Sequence, residues 1–453
     1  MSQSGTGRFT PKQLRVLAII WISVVLLVGA CTFLGIWWAL SRSAAQDSAA
    51  RPESEQAIPP VDQTTPTPLI QPQGAEGVEI PGSTPAPEPT IPPRQDTAFG
   101  YGIQAQIHIN TEQTLDQVEQ LGMGWVKQQI RWADLEPQPG ARNWDALDAI
   151  FAATSARNLK VLVSIVDAPD WARSVTAEGL AGPPDDVQHY VDYVSELVRR
   201  YPGAVHAVEI WNEQNLEREW YTAGGLSAAA YMNLLAPTAS AIHEIDPGVI
   251  VISGALTPTG VNDGVLAIDD FQYMQQMIDA GLLDYVDCVG AHHNGINLPP
   301  DISAEDAFAG GAPPGTVFIG PFDNGNPLNP HHSWSFYSTL NGYHDMIVAA
   351  GRNTPLCVTE FGWASVEGMQ GEPREGFEFA YDNSLEDQAA NIVQAFQLMH
   401  DWGFVRLAIL FNLDFSPKAG GNPQDDTTLY SILTPEGAPR PAFDAVRSMP
   451  KPP

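Results

Sequence analysis

The chain has 453 residues, 22 Lys and Arg against 53 Asp and Glu, and a formal net charge of −31. Nucleic acid binding depends on Lys and Arg displacing counterions from phosphates, so a polyanion of this kind is not expected to bind nucleic acid, and strongly anionic glycans are disfavoured for the same reason. Three Cys cannot build a disulfide framework, and 44% hydrophobic residues are ample for a packed core.

Residues 1–15 carry Arg8, Lys12 and Arg15 and no acidic residue. Residues 16–40 then run without a charge for 25 positions, where about 20 apolar residues suffice to cross a bilayer. Trp37 and Trp38 stand at the interface end of this run. It reads as a single transmembrane helix, and the positive-inside rule leaves residues 1–15 in the cytoplasm and everything after Leu40 outside the cell membrane. Two rivals stay open. A cleaved secretory signal has a shorter apolar region, and Val28-Gly29-Ala30-Cys31 resembles a lipoprotein processing site, although the chain stays apolar beyond Cys31 where a lipoprotein turns polar.

Residues 41–95 are rich in Pro, Thr, Gln and Ser, with pieces such as Thr64-Thr65-Pro66-Thr67-Pro68, and read as a disordered linker holding a domain off the membrane. Six basic and seven acidic residues fall in 1–95, so a charge of −30 belongs to residues 96–453.

From Phe99 onward, apolar β-rich runs alternate with amphipathic ones. Eight strands are expected, at 99–106, 124–131, 160–166, 205–211, 249–255, 285–291, 356–361 and 405–411. Helices are expected between them, at 112–121, 143–157, 185–200, 227–244, 270–280, 333–350 and 384–400, several opening on Asp, Asn or Ser caps. Buried strands alternating with helices imply a parallel sheet, and eight such units fit a closed (β/α)8 TIM barrel over 96–453. No Gly-rich phosphate loop follows a strand, so no dinucleotide and no other cofactor is expected.

Active sites of such barrels lie at the carboxyl ends of the strands. Strand four runs through Glu209 and Trp211 into Asn212-Glu213-Gln214-Asn215, and strand seven through Thr359 into Glu360-Phe361-Gly362-Trp363. Two carboxylates on opposite walls of one cleft suit glycoside hydrolysis, one protonating the leaving oxygen and the other attacking the anomeric carbon. Trp211-Asn212-Glu213-Gln214-Asn215 resembles the WNEPN motif, and Thr359-Glu360-Phe361-Gly362 the TEFG motif, of retaining glycosidases in the large (β/α)8 clan A, most of all its cellulase-like and β-xylosidase-like families. The resemblance implies Glu213 as general acid/base, Glu360 as nucleophile, Asn212 as donor to the sugar 2-hydroxyl, and a carbohydrate substrate.

Lys127, Gln129 and Arg131 share one face of strand two. Lys127 stands where the family has Arg beside the nucleophile, with Arg131 as a competing candidate. Glu136, in the segment Trp132-Ala133-Asp134-Leu135-Glu136-Pro137, is expected to be structural. After strand six, Ala291-His292-His293-Asn294-Gly295 resembles the family's AHPYG segment, with His292 in place of its His and Asn294 where Tyr is common. A metal site built from His292, His293, His331 and His332 is the alternative, but adjacent His pairs lack the ligand spacing of zinc enzymes, and no metal is expected. Trp363, Trp171 and Trp132 follow strands and are candidate platforms for sugar rings, whereas Trp402, at a helix end, is expected in the core.

Cys288 and Cys357 lie in neighbouring strands and are read as buried thiols, with a disulfide left open. Long insertions at 294–332 and 364–383 are expected to overhang the cleft. The whole describes a membrane-tethered retaining β-glycoside hydrolase for a neutral glycan, with a non-catalytic carbohydrate-binding protein or a transglycosylase as alternatives.

Overall fold

The computed structural model describes residues 98–313, 316 and 331–452. The expected stretch 1–15, span 16–40 and linker 41–95 lie outside the described residues, and no described helix is long and apolar enough to cross a membrane.

A strand forms at each expected place, the sixth displaced from 285–291 to Val289–Gly295, so that His292 and Asn294 lie within it and not after it. The strands are β1 (Gly100–Gln104), β2 (Trp125–Arg131), β3 (Lys160–Val166), β4 (Ala207–Ile210), β5 (Ile250–Ser253), β6 (Val289–Gly295), β7 (Leu356–Trp363) and β8 (Val405–Leu410). All pair in parallel in the order β5-β4-β3-β2-β1-β8-β7-β6. Parallel bridges Ile252–Cys288 and Leu256–Ala291 join the two edges, so the sheet curls into a nearly closed barrel. Helices between the strands cover its outside. Their starts follow the sequence signals: Asp186, Ser227, Asp269 and Ser335 accept backbone N–H groups, and Ser384 forms a capping box with Asp387.

The barrel interior is layered. Trp125, Leu162, Ala207, Ile252, Leu407 and Ile409 fill its floor around Cys288 and Cys357. These two are not free thiols: a disulfide joins them, with Cα atoms 5.7 Å apart. Adjacent parallel strands bring the two Cα atoms within bridging range, which spacing along the chain does not reveal.

One irregularity positions the site. The register of β6 against β7 pairs Ala291 with Val358 and then His292 with Glu360, leaving Thr359 as an extra residue, and β8 shows a matching shift on its side of β7. In a regular strand, neighbours 359 and 360 face opposite ways. The bulge turns both toward the barrel axis, so Thr359 reaches Glu209 through its hydroxyl while Glu360 faces the cleft.

Candidate active site

The cleft opens at the carboxyl ends of the strands, with a volume of about 690 Å³. Asn212, Glu213, His292, Asn294 and Glu360 line it together with Gln129. Glu213 reaches it through an unusual turn: Trp211 and Glu213 have φ of 76° and 46°, in the left-handed region that side chains other than Gly seldom adopt. The turn is held by what surrounds it. Trp211 donates its indole N–H to the Glu219 carbonyl (2.9 Å), Gln214 its amide to the Gly254 carbonyl (2.8 Å), and Asn215 to the carbonyls of Thr257 and Ile268 (2.9 and 3.0 Å). Backbone strain kept in place by such anchoring is characteristic of functional sites.

Beneath the cleft, Lys127 is fully buried and its ammonium lies 3.0 Å from Glu209 and 3.1 Å from Glu360. Burial alone would favour the neutral amine, but the two carboxylates overcome it and hold the Lys127 pKa above the ordinary lysine value. Burial likewise works against charge on Glu209, yet Lys127, His292 and the Thr359 hydroxyl at 2.6 Å hold its carboxyl below the usual range. His292 links the walls: its Nδ1 stands 3.1 Å from Glu213 Oε1 and 3.8 Å from Glu360 Oε2. Burial would discharge this imidazole, and the Glu360 and Glu213 carboxylates reverse that and raise its pKa. Glu213 also accepts from Arg218 at 2.6 Å. Burial opposes the charge there, but Arg218 and His292 outweigh it, so the Glu213 carboxyl lies well below the usual carboxylate range. Beside them burial and the Glu213 charge push Glu219 up to about 7.

The structure therefore brings Glu213, Glu360, Asn212, Lys127, His292 and Asn294 together. Asn212 and Asn294 each present a buried side-chain oxygen with no protein partner, polar groups left for something bound in the cleft. Arg131 does not join them. Its exposed side chain pairs with Asp167 at 2.6 Å in an adjoining cavity, also of about 690 Å³.

None of the three candidate platforms faces the cleft. Trp132 is fully buried against Tyr193 and bonds Glu136 (2.8 Å), Trp363 is fully buried with its indole on the Leu298 carbonyl (2.8 Å), and Trp171 packs on Trp132 and bonds the Glu136 carbonyl (2.8 Å). Tyr190 and Tyr193, from the helix after β3, enclose Trp132, and Phe336, from the helix after β6, lies against Trp363; a position just after a strand does not report such packing. The aromatics on the cleft wall are instead Phe377, Phe379, Phe411, Phe415 and Tyr430, from the loops after β7 and β8. Glu136 is structural, as expected, taking Trp132, the Gly140 amide and Arg142.

Sequence reasoning did not assign Glu209 or Arg218. Glu209 had a signal, a lone carboxylate inside an apolar buried strand, which demands a cation nearby. Arg218 had none.

No protein-family model matches the chain, and no curated protein matches it in sequence. Solved structures do. A family 39 glycoside hydrolase from Bacteroides cellulosilyticus WH2 superposes with a TM-score of 0.51 at 15% identity, covering 78% of this chain and 63% of that one. A monomeric β-xylosidase from Caulobacter crescentus CB15 gives 0.51 at 18% identity, over 78% and 68%, and fungal β-1,4-galactanases give 0.51 at 16%, over 78% and 100%. This chain shares their fold. It spans 63% and 65% of two family 39 enzymes, the second from Xanthomonas axonopodis pv. citri. The (β/α)8 barrel is thus the one the resemblance to clan A implied, and the chemistry has to be argued from the residues in the cleft.

Proposed function

We propose that the protein is a retaining β-glycoside hydrolase acting on a neutral glycan or oligosaccharide, with Glu360 as nucleophile and Glu213 as general acid/base. The observation that carries this reading is the separation of the two groups. A carboxylate oxygen of Glu213 and one of Glu360 lie within 4.8 Å of each other and of the His292 imidazole. Retaining enzymes hold their carboxyl groups about 5–5.5 Å apart, whereas inverting ones leave about 6.5–9.5 Å for a water.

In this reaction Glu360 attacks the anomeric carbon as Glu213 gives its proton to the leaving oxygen. The resulting glycosyl ester is then cleaved by a water whose proton returns to Glu213. Lys127 and His292, 3.1 and 3.8 Å away, aim Glu360, Asn212 offers its amide to the sugar 2-hydroxyl, and the phenylalanines and Tyr430 of the cleft wall supply apolar faces for sugar rings.

The test is Glu360→Ala in the full chain. Hydrolysis of aryl β-glycosides is expected to disappear, and azide to restore turnover as a glycosyl azide of inverted configuration. Full activity without Glu360 would end the proposal. A carbohydrate-binding protein without turnover is the second reading, favoured by the Arg218 contact that keeps Glu213 ionised; turnover of any aryl β-glycoside by the unaltered chain rules it out, whereas transglycosylation uses the same residues and differs only in the acceptor.

Residues 16–40 are proposed to anchor this domain on the outer face of the cell membrane. Their uncharged length supports the anchor, and the Cys288–Cys357 disulfide suits an oxidising compartment.

A further inference from the structure

Away from the catalytic carboxylates, the segment that returns from the insertion after β6 brings His331 and His332 onto Asp269 and Asp270, at the start of helix Asp270–Asp279. One ligand atom each from Asp269, His331 and His332 lies within 4.8 Å of the other two. We propose that these three residues bind a divalent transition-metal ion of the zinc class.

Three ligand atoms, and not two, are gathered at this point. Asp269 Oδ2 is buried and stands 2.9 Å from His331 Nε2. Ligands at about 2.0–2.2 Å from an ion stand within about 4.4 Å of one another, so loading needs only a small closing movement.

Every ligand is also oriented from behind, as metal ligands usually are. The other Asp269 oxygen accepts the Gln272 amide at 3.1 Å. His331 Nδ1 lies 2.7 Å from the Ser333 hydroxyl. The His332 ring stacks on Phe271 at 3.5 Å, and Asp270, 2.9 Å from His332 Nε2, is held by the Tyr343 hydroxyl at 2.7 Å. The Ser333 amide faces His331 Nδ1 as well, at 3.3 Å. Because bound imidazoles must be neutral, affinity falls as pH falls.

The site touches the cleft without belonging to it. The Ser333 carbonyl lies 3.2 Å from His293 Nε2, Asp270 accepts the Thr259 amide, and Ser333, His293 and Thr259 all line the cleft. A bound ion would tie the end of the β6 insertion to the helix that follows β5 and so brace one cleft wall.

The experiment is metal binding by the full chain, stripped with chelator and titrated with Co²⁺, read by metal analysis and by the visible absorption of nitrogen-ligated cobalt, with Zn²⁺ as competitor. One Co²⁺ per chain is expected. Asp269→Asn, which keeps the acceptor for Gln272, and His331→Gln should each weaken binding by about tenfold or more, and Ser333→Ala by about tenfold. Failure of the folded chain to bind, or binding unchanged in both ligand variants, would overturn the assignment. So would Co²⁺ that survives Asp269→Asn and leaves with Glu213→Gln, because the ion would then sit among Glu213, His292 and Glu360.

Discussion

Arg218 holds Glu213 ionised at 2.6 Å, while the first step of the proposed reaction needs that carboxyl protonated. The Arg218 side chain is half exposed at the cleft, so an incoming sugar can displace it from Glu213. Arg218→Ala removes the cation that depresses the Glu213 pKa, and that pKa rises. The alkaline limb of the kcat/KM profile should therefore move to higher pH, as pH–rate profiles of the two proteins will show; an unmoved limb would detach Arg218 from the proton on Glu213. Lys127 is a second single-residue lever. Lys127→Met leaves Glu209 and Glu360 buried without a counter-charge, which should cost about 3–5 kcal/mol of stability in urea unfolding and abolish turnover. Lys127 was legible because 127, 129 and 131 alternate on one face of β2, but alternation does not report depth: Lys127 lies buried at the carboxylates, whereas Arg131, at the strand end, is exposed and pairs with Asp167. Arg218 follows a turn with no periodicity to read.

At the scale of elements, the strands were legible because each is a short apolar run buried on both faces, a pattern that needs no knowledge of its neighbours. What was not legible is what comes to lie over their ends. The loops after β6, β7 and β8 share their own apolar cluster of Ile296, Leu298, Trp334, Ala364, Phe379, Phe411 and Leu429, and beside it Phe377 and Tyr430 line the cleft, whereas Trp363 packs into the main core against Phe336. The β7 bulge is equally silent in sequence, since it shows only in the pairing with β6 and β8. The disulfide between the strand floors is an element-scale constraint as well. Replacing both cysteines, Cys288→Ala with Cys357→Ala, should lower stability by about 2–4 kcal/mol in denaturant unfolding, with the active-site residues left in place.

For the molecule as a whole, the charge divides it into a nearly neutral residues 1–95 and a strongly acidic barrel. If 16–40 is the anchor, protease added to intact cells should release an active fragment of the barrel by cutting within 41–95; activity that stays protected until the cells are lysed would place the domain inside. Such an exposed domain meets proteases as a matter of course, and here the disulfide has a consequence for the connectivity of the chain. Residues 288 and 357 are 69 apart and enclose the whole insertion after β6. A single cut anywhere in that insertion opens a ring instead of severing a thread, so the strand bearing His292 and the strand bearing Glu360 stay covalently joined and a nicked molecule keeps every catalytic group on one connected chain.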